Sequence, residues 1–227
     1  MNALAERLAR RIAAEGPLGI AEFMQAALLD PEFGYYATRD PLGARGDFIT
    51  APEVSQVFGE LIGLWCADAW EKMGRPSGVI LTELGPGRGT LMADALRALK
   101  AAPQFGRALT LHLVECSPVL RRRQAERLAG AGPTWHDSLA SLPEGPLILI
   151  ANEFLDALPI RQLVRGERFW HERRVALGAD GDFRFALDRA PSPAAALLPP
   201  TLAGAPPGSL AEIRPAALTL AAALGER

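Results

Sequence analysis

The residues of this sequence that could do chemistry begin with the stretch TELGPGRGT, residues 82–90. Its three glycines follow an apolar run, GVILTEL, and precede TLMADALRALK, which has the periodicity of a helix. Glycine lets the backbone turn sharply and approach a ligand closely, and the start of the helix offers unpaired N–H groups to an anion. We therefore expect a nucleoside cofactor to bind at Gly85, Pro86, Gly87 and Gly89.

Three classes of cofactor compete for this loop. A P-loop needs G-x-x-x-x-G-K-[ST], but the sequence has no Lys-Ser or Lys-Thr pair. The dinucleotide fingerprint G-x-G-x-x-G is not matched either, because Thr90 stands where the third glycine should be, and the Tyr-x-x-x-Lys of a hydride-transfer site is absent. What remains is E-x-G-x-G-x-G, from Glu83 to Gly89. An acid at the end of the strand suits S-adenosylmethionine, which has an ammonium, a sulfonium and a small carboxylate.

Two later segments offer further contacts to such a cofactor. Glu115 ends the run LHLVE, 26 residues after Gly89, where an acid can accept hydrogen bonds from both ribose hydroxyls. A solvated acid at a strand end is the alternative. Asp137 and Ser138 follow PTWH and are placed to reach the adenine edge, whereas a turn or helix cap is the alternative for Asp137.

The composition narrows the class of protein. The chain has 227 residues, of which 49% are hydrophobic and 22% charged, and its formal net charge is −2. This is a globular composition that indicates neither a nucleic-acid partner nor insertion into a membrane, since no run reaches the ~18 apolar residues of a span. The three histidines lack metal-ligand spacing, and we expect no metal. Cys66 and Cys116 are interpreted as reduced, buried thiols. The N-terminus is interpreted as a first helix of the domain and not as a transit peptide. Both interpretations predict a cytoplasmic protein.

The order of the elements is that of an α/β protein. Helical periodicity is present at 3–14 and 20–29, and a Gly- and Pro-rich loop follows at 31–49. Thr50 and Glu53 predict a capping box at the start of a long helix that stops near Gly74. Strands alternate with helices from 78 to 151, which predicts a parallel sheet with right-handed crossovers.

The remaining segments have weaker patterns. Residues 161–188 are typical of antiparallel hairpin strands, and 210–224 of a last helix. Residues 190–209 are Pro- and Ala-rich, which is typical of a loop or of a poorly ordered segment. We therefore divide the chain into four segments: an N-terminal helical cap with a cofactor-covering loop (1–76), a cofactor-binding core (77–160), a hairpin insertion with its loop (161–209) and a returning helix (210–227).

Longer stretches of the sequence identify a family. GDFITAPEVSQVFGELIGLW, LTELGPGRGTLMADALRAL and ANEFLDALPIRQL resemble the MidA-like family of S-adenosylmethionine-dependent methyltransferases, and the resemblance runs from residue 5 to the end. It implies the Rossmann-like fold of class I methyltransferases, with N-terminal helices and a hairpin insertion. The mitochondrial members are assembly factors of respiratory complex I that methylate an arginine of one of its subunits. The resemblance therefore implies S-adenosylmethionine as cofactor and a protein as substrate.

The resemblance also assigns residues. The glycine loop of the family falls on Gly85, Gly87 and Gly89, with Glu83 before them, and its ribose acid falls on Glu115. The G-D-F-x-T-x-P-E motif, near the methionine end of the cofactor, falls on a segment that includes Gly46, Asp47 and Thr50. Asp47 is a candidate for the ammonium of the cofactor, with a loop-ordering Asx turn as the alternative.

The third motif, N-E-F-x-D-A-L-P, supplies the candidate catalytic residues. Open α/β sheets bind ligands at the carboxyl ends of their strands, and Asn152 and Glu153 follow the apolar run ILIA. We expect Glu153 to orient an arginine acceptor, Asp156 to assist it and Asn152 to position it. A structural ion pair is the alternative for Glu153, and a helix or turn cap is the alternative for Asp156.

Several questions stay open at the level of sequence. The chain could act as a protein methyltransferase or as a cofactor-binding assembly factor whose main task is to bind a partner, and a homodimer is among the possible assemblies. Family members continue with further strands after the helix corresponding to LAEIRPAALTLAAAL. The resemblance thus implies that the C-terminal part of the usual sheet is missing and that the strand at 146–151 becomes an apolar edge.

Overall fold

The computed structural model describes residues 2–38 and 50–227. Its α-helices, in chain order, are α1 (Ala3–Glu15), α2 (Ile20–Leu29), α3 (Tyr35–Thr38), α4 (Ala51–Val54), α5 (Gln56–Lys72), α6 (Thr90–Ala98), α7 (Pro103–Ala108), α8 (Pro118–Arg127) and α9 (Pro215–Gly225). Its strands are β1 (Leu18–Gly19), β2 (Val79–Leu84), β3 (Leu109–Val114), β4 (Thr134–His136), β5 (Leu147–Ile150), β6 (Arg161–Arg165), β7 (Trp170–Leu177), β8 (Phe183–Leu187) and β9 (Leu210–Ile213).

The chain forms two compact units that differ from the four consecutive segments predicted above. One unit combines Met1–Tyr35 with Leu158–Gly225, and the other contains Tyr36–Ala157 with Glu226–Arg227. The N-terminal helices α1 and α2 therefore belong with the hairpin strands, because their apolar faces share one cluster with the buried Val175 of β7.

The second unit is built on a parallel sheet with the strand order β4-β3-β2-β5. This confirms the parallel sheet predicted from the alternation of strands and helices. β2 lies inside the sheet and is buried along its whole length, VILTEL, because helices cover such a strand on both faces. The apolar core around it includes Leu81, Leu113, Phe105 and Met92, each of them fully buried. β5 is the last strand in the order of this sheet.

The predicted long helix after Thr50 is interrupted. α4 ends at Val54, Ser55 adopts an extended conformation, and α5 begins at the next residue. The capping box is wrong, because the Thr50 side chain makes no cap hydrogen bond and the Glu53 carboxylate accepts instead from the Thr90 hydroxyl of α6. A partner on a neighbouring helix thus replaces the local one.

The first unit contains an antiparallel sheet with the strand order β1-β7-β6-β9, in which β8 also pairs with β7. This confirms the hairpin strands predicted for 161–188. One expectation is wrong, however. Residues 210–213, predicted as the start of the last helix, form strand β9 on β6. The segment 190–209, expected to be loop or poorly ordered, is a loop with short 3₁₀ turns whose apolar residues, among them Ala194, pack against Leu163 and Trp170.

Other expectations from composition have mixed outcomes. Within residues 2–38 and 50–227, every helix is too short or too polar to cross a membrane. Both cysteines are free thiols, but only Cys66 is buried, whereas Cys116 is exposed because it lies beyond the end of β3. No sequence pattern predicts the contact between His112 and His136. Nδ1 of His112 lies 2.9 Å from Nε2 of His136.

Helices α5 and α6 approach each other closely through glycine. A Cβ atom at Gly63 would lie 2.5 Å from the carbonyl oxygen and 2.7 Å from the Cα of Ala95. Because these are backbone atoms, the neighbouring helix would have to move as a body. The close approach thus depends on the absence of a side chain at this position.

We predict that Gly63→Ala lowers the free energy of unfolding by about 1–3 kcal/mol, because the clash outweighs the better helix propensity of alanine. Gly106→Ala, in α7, is the matched control, since a Cβ there meets nothing within 4 Å. This control should gain up to about 1 kcal/mol. Urea unfolding of both variants measures the difference, and a Gly63→Ala protein as stable as the wild type would contradict the packing argument.

Candidate cofactor site

The four strands of the parallel sheet end at one edge. Leu84 of β2 is in register with Val114 of β3, and Val114 is in register with His136 of β4. On the other side, Glu83 is in register with Ile150 of β5. The sheet therefore brings together the segments that follow these ends: the glycine loop, Glu115, Asp137 with Ser138, and the loop that contains Asn152 and Glu153.

The glycine loop needs its glycines for their backbone angles. Gly85, Gly87 and Gly89 have φ angles of 62°, 55° and 76°, in the left-handed region that other residues rarely adopt. The Gly85 N–H donates to the carbonyl of Val114 at 2.9 Å, and the Gly89 N–H donates to the carbonyl of Pro86 at 2.8 Å. Gly89 is also the N-cap residue of α6. The loop thus leads from β2 to the start of a helix, with no side chain at these three positions.

Phe154 fixes the loop after β5 against the glycine loop. A Cβ atom at Gly85 would lie 2.8 Å from the Phe154 ring. The aromatic ring therefore packs directly on the backbone of Gly85. This contact brings the candidate catalytic residues beside the glycine loop, a role of Phe154 that no sequence pattern indicates.

Glu83 is a buried carboxylate with an unused oxygen. The residue is 3% exposed, and its Oε2 is buried without a hydrogen-bond partner among the described residues. Burial raises the pKa of Glu83 to about 8. Burial also raises the pKa of the Cys66 thiol to about 11, and the nearby Glu83 carboxylate contributes to that increase. A cationic group on a ligand would compensate such a carboxylate.

Glu115 is held in a fixed orientation. Its Oε1 accepts the N–H of Ser117 at 2.8 Å, and its Oε2 accepts the amide of Gln124 at 3.2 Å. The residue is buried, and desolvation raises its pKa although these hydrogen bonds oppose the shift. Each carboxylate oxygen has a second lone pair, so the carboxylate can accept two further hydrogen bonds from a ribose.

Gln124 organises the site, although the sequence analysis did not single it out. Its side-chain N–H groups reach the carbonyl of Gly87 at 2.7 Å as well as Glu115, and its Oε1 accepts the indole N–H of Trp135 at 2.8 Å. It is fully buried. The sequence does contain a signal for this role, because Gln124 is a lone amide at helical spacing between Leu120 and Leu128 on the buried face of α8.

Other predicted cofactor residues are placed less directly. The Asp137 side chain is 88% exposed and pairs with Arg121 at 2.6 Å, so its carboxylate is engaged at the surface. Ser138 is exposed, and its carbonyl accepts the Ser141 hydroxyl at 3.0 Å. Thr50 is half-buried and precedes α4. The predictions for Gly46 and Asp47 fall outside the described residues.

The candidate catalytic residues lie on the loop after β5. Asn152 is half-buried, whereas Glu153 and Asp156 are exposed. Glu153 has a φ of 51°, and only Arg75 shares a positive φ among the described residues other than glycine. Such a conformation costs energy and often marks a functional loop. It makes Glu153 a candidate functional residue, although its side chain has no hydrogen bond or ion pair with the described residues that would define a role.

Together these residues fit a cofactor with an adenosine and a cationic end. The loop has backbone N–H groups and no side chains at its glycines, and Glu115 is oriented for hydroxyl groups. Glu83 has one oxygen without a hydrogen-bond partner among the described residues. The P-loop lysine that would hold a triphosphate is absent from this loop. The arrangement favours S-adenosylmethionine.

Comparison with known proteins agrees with this geometry. The model of a family described as "Putative S-adenosyl-L-methionine-dependent methyltransferase" matches residues 61–227. The chain belongs to this family. The match confirms the resemblance to MidA-like methyltransferases that the three longer motifs indicated.

Curated relatives are named as protein arginine methyltransferases. The chain is 37% identical to "Protein arginine methyltransferase NDUFAF7 homolog, mitochondrial" of Drosophila melanogaster, with 88% of this chain and 52% of the relative covered. It is 40% identical to the Danio rerio protein of that name, with 87% and 53% covered. The chain thus spans about half the length of these relatives. The predicted cytoplasmic location is wrong by this comparison, because these relatives are named as mitochondrial.

Solved structures confirm the predicted fold class. A protein from Burkholderia thailandensis bound to S-adenosyl-homocysteine is 32% identical, with a TM-score of 0.80, and the match covers 96% of this chain and 57% of that one. A second crystal structure from the same organism has a TM-score of 0.76 at 33% identity, with 96% and 56% covered. The Rossmann-like class I methyltransferase fold is therefore shown for this chain.

The burial of Glu83 predicts a pH-dependent stability. The pKa of Glu83 is raised in the folded state to about 8 from an ordinary value of 4.5. The folded state therefore holds this proton more tightly than the unfolded state, and the resulting stabilisation is full below about pH 4.5 and lost as the pH rises toward 8. Relative to Glu83→Gln, the wild-type protein should lose up to a few kcal/mol over this range.

Urea unfolding of both proteins across this pH range measures the effect. The exposed Glu144 provides the control, since Glu144→Gln should follow the wild type at every pH. Parallel stability curves for wild type and Glu83→Gln would mean that the buried carboxylate is compensated within the protein.

Proposed function

We propose that this chain is the cofactor-binding part of an S-adenosylmethionine-dependent methyltransferase that acts on an arginine side chain of a protein. The observation that carries the proposal is the alignment of the glycine loop, Glu83 and Glu115 at the carboxyl edge of the parallel sheet. The chain's membership of the methyltransferase family supports the reaction class. The names of the curated relatives support the arginine acceptor and a protein substrate.

The residues of the site divide the binding of the cofactor between them. The N–H groups at the start of α6 and the glycine loop hold the cofactor carboxylate, since a helix start attracts an anion. The Glu83 carboxylate compensates the positive charge at the cationic end of the cofactor, and Glu115 accepts hydrogen bonds from the ribose hydroxyls. When bound, S-adenosylmethionine supplies an electrophilic methyl group on a sulfonium.

The protein must then orient an acceptor and exclude water. An arginine stays charged at any physiological pH, because its pKa lies above about 12. A carboxylate can hold a guanidinium through two parallel hydrogen bonds and leave one nitrogen directed at the methyl group. Glu153 is the residue that we assign to this role, since it follows β5 and its loop packs on Gly85 through Phe154. Asp156 and Asn152 lie on the same loop and support its position.

Cofactor binding is tested by calorimetric titration with S-adenosylmethionine, with NADH as the control ligand. We expect binding of the first and not of the second. Glu115→Ala should weaken binding by roughly 2–4 kcal/mol, because two hydrogen bonds to a charged group are lost. Glu144→Ala is the matched control, since this exposed acid precedes β5 at the opposite edge of the sheet. Equal losses in the two variants would refute the ribose role of Glu115.

Catalysis is tested separately with Glu153→Gln. The assay uses labelled S-adenosylmethionine and arginine-containing peptides. The variant should transfer methyl groups at about one hundredth of the wild-type rate or below, because a neutral amide orients a guanidinium poorly. Its affinity for the cofactor should change by less than about twofold, since Glu153 is not assigned to cofactor binding.

Glu153→Gly distinguishes catalysis from folding. Glycine adopts the φ of 51° without strain, so Glu153→Gly should be at least as stable as the wild type. Its methyl-transfer activity should be as low as that of Glu153→Gln. Full transfer activity in both variants would favour the alternative that the protein binds the cofactor and serves as an assembly factor.

A further inference from the structure

A cleft with an excess of positive charge lies beside the glycine loop. It has a volume of about 400 Å³, and the described residues that line it, which together we call the basic cleft, are Arg88, Arg123, Glu126 and Arg127. Three of these four residues are arginines, although the chain as a whole has a net charge of −2. The proposed cofactor site does not use Arg123 or Arg127. The basic cleft is therefore a separate feature of the second unit.

Two of the arginines are positioned by a network beneath them. Arg127 donates to the hydroxyl of Thr90 at 2.8 Å, and this hydroxyl donates in turn to the carboxylate of Glu53. Arg88 lies 3.7 Å from the same carboxylate. The Glu53 carboxylate is thus linked to Arg88 directly and to Arg127 through the Thr90 hydroxyl. Because these guanidinium groups are already oriented, a ligand would lose less side-chain entropy on binding them.

Arg123 adds charge that is weakly compensated. Its ion pair with Glu126 has a distance of 3.6 Å, and the two side chains are 59% and 70% exposed. Exposed pairs of this kind contribute little energy, so Arg123 remains available to a stronger anionic partner. Arg122 precedes it on α8, is also exposed and does not line the basic cleft.

The lining of the basic cleft limits the class of ligand. Arginine binds carboxylate or phosphate through paired hydrogen bonds. The four lining residues within the described ranges are all charged, and none of these four is an aromatic residue on which a nucleobase would stack. The exposure of Arg123 and Glu126 leaves the cleft open to solvent. An open, charged surface of this kind suits acidic side chains presented by another protein better than an enclosed small molecule.

We propose that the basic cleft binds an acidic segment of a partner protein, whose carboxylates pair with Arg123 and Arg127. This proposal does not rest on the proposed methyltransferase activity, because the test below measures binding alone. It assigns a docking role to the outer face of α8, while the inner face of the same helix supports Glu115 through Gln124.

The test is fluorescence anisotropy of a labelled polyglutamate peptide titrated with the whole chain. We expect binding that weakens as salt increases. Arg123→Glu should lower the affinity about tenfold, because it replaces an attraction with a repulsion. Arg122→Glu is the matched control, with the same change of charge on the same helix, and should change the affinity by less than about twofold.

Three results would overturn the proposal. The first is an absence of peptide binding at low salt. The second is an equal loss in Arg122→Glu and Arg123→Glu, which would indicate attraction to the net charge of α8 and not to the basic cleft. The third is tight binding of inorganic tripolyphosphate without binding of the peptide, which would identify a phosphate site. Thermal unfolding of both variants checks that each one is folded, and Arg123→Gln provides a milder replacement.

Discussion

The common register of the four parallel strands is the constraint on which the candidate site depends. Leu84, Val114 and His136 end their strands side by side, and Ile150 ends β5 next to Glu83. Because backbone hydrogen bonds fix this register, a shift of one strand would move its following loop by a residue and turn its side chains to the other face. The positions of the loops are therefore a consequence of the sheet.

Several features of the site destabilise the folded protein, and the fold itself does not require them. Within the described residues, one oxygen of the buried Glu83 carboxylate has no hydrogen-bond partner. Such a carboxylate destabilises a folded protein unless it is protonated or paired with a cation. Three glycines with positive φ angles raise the entropy that folding must overcome. Glu153 adds a strained backbone angle. These costs occur together at one edge of one sheet, which is the distribution expected of a binding site and not of a structural core.

The sequence was informative for several residues that directly follow an apolar strand. The glycine loop, Glu115 and Asn152 with Glu153 were placed at the sheet edge for that reason, and the structure brings their segments together. Asp137 follows a strand too, but its carboxylate pairs with Arg121, a partner 16 residues away that no local pattern indicates. Gln124 was missed because its partners come from three separate segments of the chain.

Local sequence patterns gave wrong predictions where a hydrogen-bonding partner distant in the chain determines the structure. The capping box was predicted because Thr50 and Glu53 have the required spacing, but Glu53 bonds the Thr90 hydroxyl across 37 residues. Strand β9 was read as helix because LAEI offers only two buried positions, Ala211 and Ile213, and its partner β6 lies about fifty residues earlier. A hydrogen-bonding partner so distant in sequence leaves no periodic pattern in the segment itself.

Helix α8 shows how one short element can carry two functions. A helix repeats every 3.6 residues, so Leu120, Gln124 and Leu128 follow one side of it, and Arg123 with Arg127 follow another. The inner side orients Glu115 through Gln124, and the outer side holds Thr90 at the start of α6 through Arg127. A displacement of α8 would therefore change both the acid at the end of β3 and the helix that begins at the glycine loop. Any partner that binds the arginines of the outer side acts on an element that also supports the cofactor site.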